Sequence, residues 1–195
     1  MPGQQRADAR RNYARILAVA ENEVAAHGSG ASLEQIARTV GVGSATVRRH
    51  FPTRRALLEA VAQKRIDALC ARAHTLTGVT DSRTALLEWL GEVLTFCVRA
   101  RGLAAALAHD GAVSEPAHEN ACTAALEAAA SPLLDRAVQD GAVAPGATVT
   151  DLITLIVGIT LATEHHPDPA DQANRLFGLA VRGLSPRSLA PGPTG

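Results

Sequence analysis

The chain has 195 residues, 47% hydrophobic and only 3% aromatic, enough to bury a core of Ala, Leu and Val without disulfides or metal. Its 19 basic and 19 acidic side chains cancel, yet residues 1–65 hold 11 Lys and Arg against 5 acids, and the rest holds 8 against 14. No apolar run approaches the ~20 residues of a membrane span, the polar N-terminus has no signal-peptide pattern, and Cys70, Cys97 and Cys122 lack CxxC spacing, as expected of a cytoplasmic protein.

A first helix is predicted over 8–27, where Tyr13, Ile16, Leu17, Ala20 and Val24 recur three and four residues apart. Gly28, Ser29 and Gly30 end it. Ser32, in capping-box spacing with Gln35, opens a short second helix whose buried edge is Leu33, Ile36, Ala37 and Val40. Gly41 breaks that helix, and a third runs from about Ser44 to His50. Thr53 is the expected N-cap of a long linking helix from Arg54 to about His74. Helical patterns follow at 82–99, 101–110, 116–139, 148–163 and 169–183, about nine in all. Pro132 is expected to kink or split the helix that contains it. Strand signals are scarce, so the fold class is all-α. Residues 185–195, rich in Pro and Gly, read as a disordered tail.

Two short helices joined by a glycine turn have the geometry of a helix-turn-helix. At ~100° per residue, Val47 and Phe51 share the face that must point inward. The opposite face shows Ala45, Thr46 and Arg49, with Ser44 and Arg48 on one flank and His50 on the other. A small, polar, cationic surface suits a major groove: short residues let the helix approach, and arginine can fork onto guanine or onto phosphate. Ser32 and Ser44 lie at helix starts, where free N–H groups suit phosphate, and Arg54 and Arg55 extend the basic rim. The charge excess of residues 1–65 fits nucleic-acid binding, though it fits a solvated face as well. Arg6, Arg10 and Arg11 are candidates for an arm entering the minor groove, the alternative being a solvated tail.

The segment SLEQIARTVGVGSATVRRHFPTRRALLEAV closely resembles the DNA-binding domain of TetR-family regulators. The positions that carry the likeness are Ser32, Ile36, Ala37, Gly41, Val42, Thr46, Val47, His50, Phe51, Arg54, Leu57 and Leu58. Two departures stand out: Arg48 replaces the family's usual tyrosine, a phosphate contact, and Ala45 replaces a common glycine. The resemblance implies a DNA-binding domain at 1–52, completed by the linking helix to about 62, and a regulatory, dimerising domain at 53–184. It also implies a repressor that binds palindromic double-stranded operator DNA as a homodimer and is released by a small-molecule effector. No cofactor, metal or membrane partner is implied.

In the family the last two long helices pair with those of a second copy. Here the candidate interface is Leu152, Leu155, Ile156 and Ile159 together with Leu176, Leu179 and Ala180, stripes that fit a core equally well. Candidates for an effector pocket are Leu69, Trp89, Val93, Phe96, Leu103, Leu107, Cys122 and Leu126, with His74, His109 or His118 as polar hooks. Simple core filling is the alternative for most of them. His165 and His166 point apart and lack a third ligand, so a metal site is not expected there. No P-loop, GxSxG, HExxH or dinucleotide fingerprint is present, which argues against an enzyme. The competing readings are a helical adaptor that meets another protein and an enzyme without a recognisable motif.

Overall fold

A computed structural model describes residues 2–27, 31–79, 81–109 and 116–183, the side chains of 2–6, 25, 100–121 and 183 excepted. The helices are α1 (Pro2–His27), α2 (Leu33–Val40), α3 (Ser44–His50), α4 (Arg54–Leu76), α5 (Ser82–His109), α6 (Pro116–Gln139), α7 (Val149–Ala162) and α8 (Pro169–Gly183). Eight helices and no strand therefore occur among the described residues, where about nine helices were expected. The patterns at 82–99 and 101–110 are one helix, α5. A glycine such as Gly102 inside a helix costs only about 1 kcal/mol relative to alanine, too little to end it when both flanks are strong helix formers.

Pro132 does not split α6 either. Its ring faces solvent, and Leu126, Ala129 and Ala130 before it and Leu133, Leu134 and Ala137 after it are buried. Packing on both sides offsets the one backbone hydrogen bond that proline removes. At the other end of the chain, α1 begins well before the expected residue 8, because its Gln-, Ala- and Arg-rich start has high helix propensity. Arg10 and Arg11 thus stand on a helix rather than in an extended arm, and Arg11 pairs with Asp8. The side chain of Arg6, the linker Gly28–Gly30 and the tail 185–195 lie outside the described residues.

The fold divides into two units, residues 1–67 with 99–119 and residues 68–98 with 120–195. The first has a small core of Ile16, Leu17 and Ala20 from α1, Ile36, Ala37 and Val40 from α2, Val47 from α3, Phe51, and Leu57 and Val61 from α4. Polar ties surround it. Arg15 Nη2 donates to the Val40 carbonyl at 3.0 Å, and Glu21 receives Lys64 at 2.5 Å and Arg65 at 3.4 Å.

In the second unit the buried side chains are Leu69, Ala73 and Leu76 of α4, Leu86, Trp89, Leu90, Val93 and Leu94 of α5, and the α6 residues already named. From α7, Leu152, Ile156 and Ile159 are also buried. The Trp89 indole N–H donates to the Leu69 carbonyl at 3.0 Å, which satisfies the polar end of the largest buried side chain. Arg72 of α4 pairs with Glu88 and Glu92 of α5, and Arg136 of α6 donates to the carbonyls of Thr77 and Val79 beyond the end of α4. Thr148 and Asp151 form a reciprocal capping box at the start of α7. Among the described residues, no helix is long and apolar enough to cross a membrane.

Candidate nucleic-acid interface

The motif is built by its turn. Gly41 adopts φ 76° and ψ 35°, and its N–H bonds to the carbonyls of Ala37 at 3.0 Å and Arg38 at 3.1 Å while Val42 N–H reaches Ala37 at 3.0 Å. A left-handed residue reverses the chain within three positions, so α3 starts at once against α2. At the other end of α2 the Ser32 hydroxyl accepts the Gln35 N–H at 3.3 Å, the capping bond expected from the sequence. Thr53 caps α4 in the same way, accepting the Ala56 N–H at 3.1 Å.

Val47 and Phe51 are fully buried, and they fix the rotation of α3. Tyr13 stacks on Phe51 with centroids 5.1 Å apart and meets His50 edge-on at 6.0 Å, closing the outer side of the core. Ser44, Ala45, Arg48 and Arg49 are consequently exposed, while Thr46 and His50 are half-buried. Ser32 is half-buried at the head of α2.

The cations of this surface are not equivalent. Arg49 is exposed and carries no partner among the described residues. Arg48 Nη2 donates to Glu34 Oε1 of α2 at 2.7 Å, and this bond holds the Glu34 carboxyl below the usual carboxylate range. Arg55 pairs with Glu59 at 2.7 Å one turn along α4. Arg54 is half-buried, with Nε and Nη2 out of contact with solvent and without a hydrogen-bond partner among the described residues. Glu34 is the one participant that sequence reasoning missed: it is 14 positions from Arg48 and on another helix, where no periodicity links them.

The other expected sites divide by burial. Leu69, Trp89, Val93 and Leu126 lie in the core of the second unit, and Phe96 and Cys122 are half-buried in it. The side chains of Leu103 and Leu107, and those of His109 and His118, are outside the described residues, and His74 is exposed. Of the proposed pairing stripe, Leu152, Ile156 and Ile159 are covered by the chain's own packing. Leu155 and Leu179 are 38% and 48% exposed, and Leu176 and Ala180 are half-buried. Val157 and Leu161, outside the expected set, are exposed by 40% and 62% on the outer side of α7.

Comparison with known proteins bears on the whole chain. Residues 16–61 match the domain described as bacterial regulatory proteins of the tetR family, and residues 81–186 match the C-terminal domain described as transcriptional regulator SbtR-like. The structure of a TetR transcriptional regulator from Streptomyces coelicolor is similar at 31% identity and TM-score 0.73, over 90% of this chain and 99% of that one. One from Mycobacterium vanbaalenii is similar at 32% identity and TM-score 0.71, over 93% and 99%. A regulator from Agrobacterium tumefaciens, at 18% identity and TM-score 0.63 over 91% and 99%, shares the fold. No curated protein matches the chain significantly.

Proposed function

Because the chain belongs to the TetR family of transcriptional regulators, we propose that it is a repressor that grips palindromic operator DNA as a homodimer through α3 and lets go when a small molecule enters the second unit. The observation that carries this reading is the split of α3. Val47 and Phe51 are locked into the core, and the opposite side offers Ser44, Ala45 and Arg49 to solvent. Such a surface reaches base edges in a major groove, while Ser32, Thr46, Arg48, His50 and Arg54 around it take positions suited to phosphate or flanking bases. Work on the chromosome places the protein in the cytoplasm.

Dimerisation follows from the symmetry of operators, whose half-sites lie about one helical turn apart. The exposed apolar residues of α7 and α8 (Leu155, Val157, Leu161 and Leu179) supply a surface for it. The effector would lodge among Leu69, Trp89, Val93, Phe96, Cys122 and Leu126, an apolar lining with few polar groups.

The test is selection of duplexes from a randomised pool followed by titration against salt. A two-fold symmetric sequence should emerge, bound with a log–log salt slope of several units. Arg49→Ala should lose discrimination between the selected duplex and a random one while its melting curve and sedimentation stay those of the parent. A pool that yields no consensus would overturn the repressor reading. A selective Arg49→Ala protein would remove Arg49 from base readout.

A further inference from the structure

Arg48 is the α3 cation that another helix restrains. Its Nη2 donates to Glu34 Oε1 at 2.7 Å, and its guanidinium has no second partner among the described residues. Glu34 Oε2 in turn accepts the Ser32 hydroxyl at 3.3 Å, and Ser32 Oγ accepts the Gln35 N–H at 3.3 Å. The first turn of α2, its carboxylate and the α3 guanidinium therefore form one hydrogen-bonded chain across the motif. Arg49, one residue further on, has no such tether.

Both members of the pair are more than half exposed, with side-chain exposures of 58% and 52%, so the pair adds little to folding stability. Its effect is on geometry and charge. A free arginine on a long flexible stem beside a duplex is drawn to the nearest phosphate, because that attraction is strong and independent of sequence. Bonded to Glu34, the guanidinium keeps to the edge between α2 and α3, and one positive charge of the DNA-facing surface is neutralised. Four of the guanidinium's five N–H donors stay unspent, Nη2's second hydrogen among them, and a donor fork is what guanine O6 and N7 accept.

Building on the operator-binding reading, we propose that Glu34 is a positioning residue that withholds Arg48 from backbone phosphates and reserves its free donors for a base edge. The pair would then set operator sequence rather than overall affinity. Negative charge at the head of α2 would otherwise oppose binding, since in this motif the first helix lies across the DNA backbone.

The experiment compares the parent, Glu34→Gln, Arg48→Met and the double variant by fluorescence anisotropy. Each is titrated with the duplex that the parent enriches from a randomised pool and with a random-sequence duplex, over a range of salt. Glu34→Gln should bind the random duplex several-fold more tightly, with a log–log slope steeper by about one unit for the added phosphate contact. Its preference for the selected duplex should fall, and in the Arg48→Met background the same change should give a smaller gain, equal for both duplexes, with the preference unmoved. Thermal unfolding of each variant checks the fold. Unchanged slope and preference in Glu34→Gln would overturn the proposal and leave the repressor reading standing. An equal gain in the Arg48→Met background would also overturn it, making Glu34 a plain repeller of phosphate. A parent that enriches no sequence would overturn the repressor reading, and this proposal with it.

Discussion

At the scale of single residues, Arg54 shows how binding and folding pull apart. Two of its guanidinium nitrogens are buried with no hydrogen-bond partner among the described residues. Such donors cost about 1–3 kcal/mol each when left unsatisfied. Methionine has a comparable unbranched stem and no N–H group, so Arg54→Met removes the orphaned donors at little cost in volume. Thermal unfolding should show this variant as stable as the parent or more so. Its DNA affinity should fall by a similar factor for every duplex, with the salt slope smaller by about one unit. A clear drop in stability would mean that the guanidinium supports the fold. Glu34 makes a second residue-level case. Its folded pKa is depressed, first by the Arg48 hydrogen bond. The contribution of the pair is therefore complete above the unfolded pKa and is lost as the pH falls through the lowered folded value. A carbon-13 NMR titration of the Glu34 carboxyl should move to a higher midpoint in Arg48→Met; an unmoved midpoint would deny the bond in solution. Of the face expected to point outward, Ala45 and Arg49 are exposed, as is Ser44 from its flank, whereas Thr46 is half-buried; that much was legible in the sequence because Val47 and Phe51 fix the rotation of a short helix. The tether on Arg48 and the orphaned state of Arg54 were not, since both depend on which helices come together.

At the scale of elements, the turn between α2 and α3 decides whether the motif exists. Gly41 sits at φ 76°, and a Cβ placed there would meet nothing within 4 Å. The penalty for Gly41→Ala is therefore backbone strain alone, about 1–2 kcal/mol. A melting curve followed by circular dichroism should drop by several degrees, and Gly41→Asn should recover part of the loss, since asparagine tolerates the left-handed region better. Equal stability of the alanine variant would show that the turn has another conformation in solution. This turn, both serine and threonine caps and the order of helices could be read ahead of the structure, since each is a local signal. The length of α5 and the passage of α6 through Pro132 could not. Both are outcomes of packing on either side of a weak breaker, and a breaker's local cost says nothing of that support.

At the scale of the whole molecule, the proposed pairing with a second copy turns on which face of α7 is left uncovered. An apolar stripe in a sequence serves a core or an interface equally well, and burial separates the two here. Leu152, Ile156 and Ile159 point into the chain's own fold, whereas Thr154, Val157, Gly158, Leu161 and Ala162 share the exposed side. Ile156 is only 1% exposed, so Ile156→Glu would unfold the chain and say nothing about pairing. Leu161, 62% exposed, is the better probe. Gly158 sharpens it further. A Cβ there would meet nothing within 4 Å, so packing within one chain gives no reason for a glycine that costs its helix about 1 kcal/mol. A second helix crossing close at that point would give one, because a bare Cα lets two backbones approach. On a free surface Gly158→Ala would stabilise the protein. At the proposed interface the added methyl holds the helices apart, so the dimer should weaken while helix content is unchanged. Leu161→Glu should give a folded monomer with weakened operator binding, since one head alone forfeits the second half-site. Sedimentation over a concentration series reads both variants, and a dimer as tight as the parent's in each would move the pairing surface off α7.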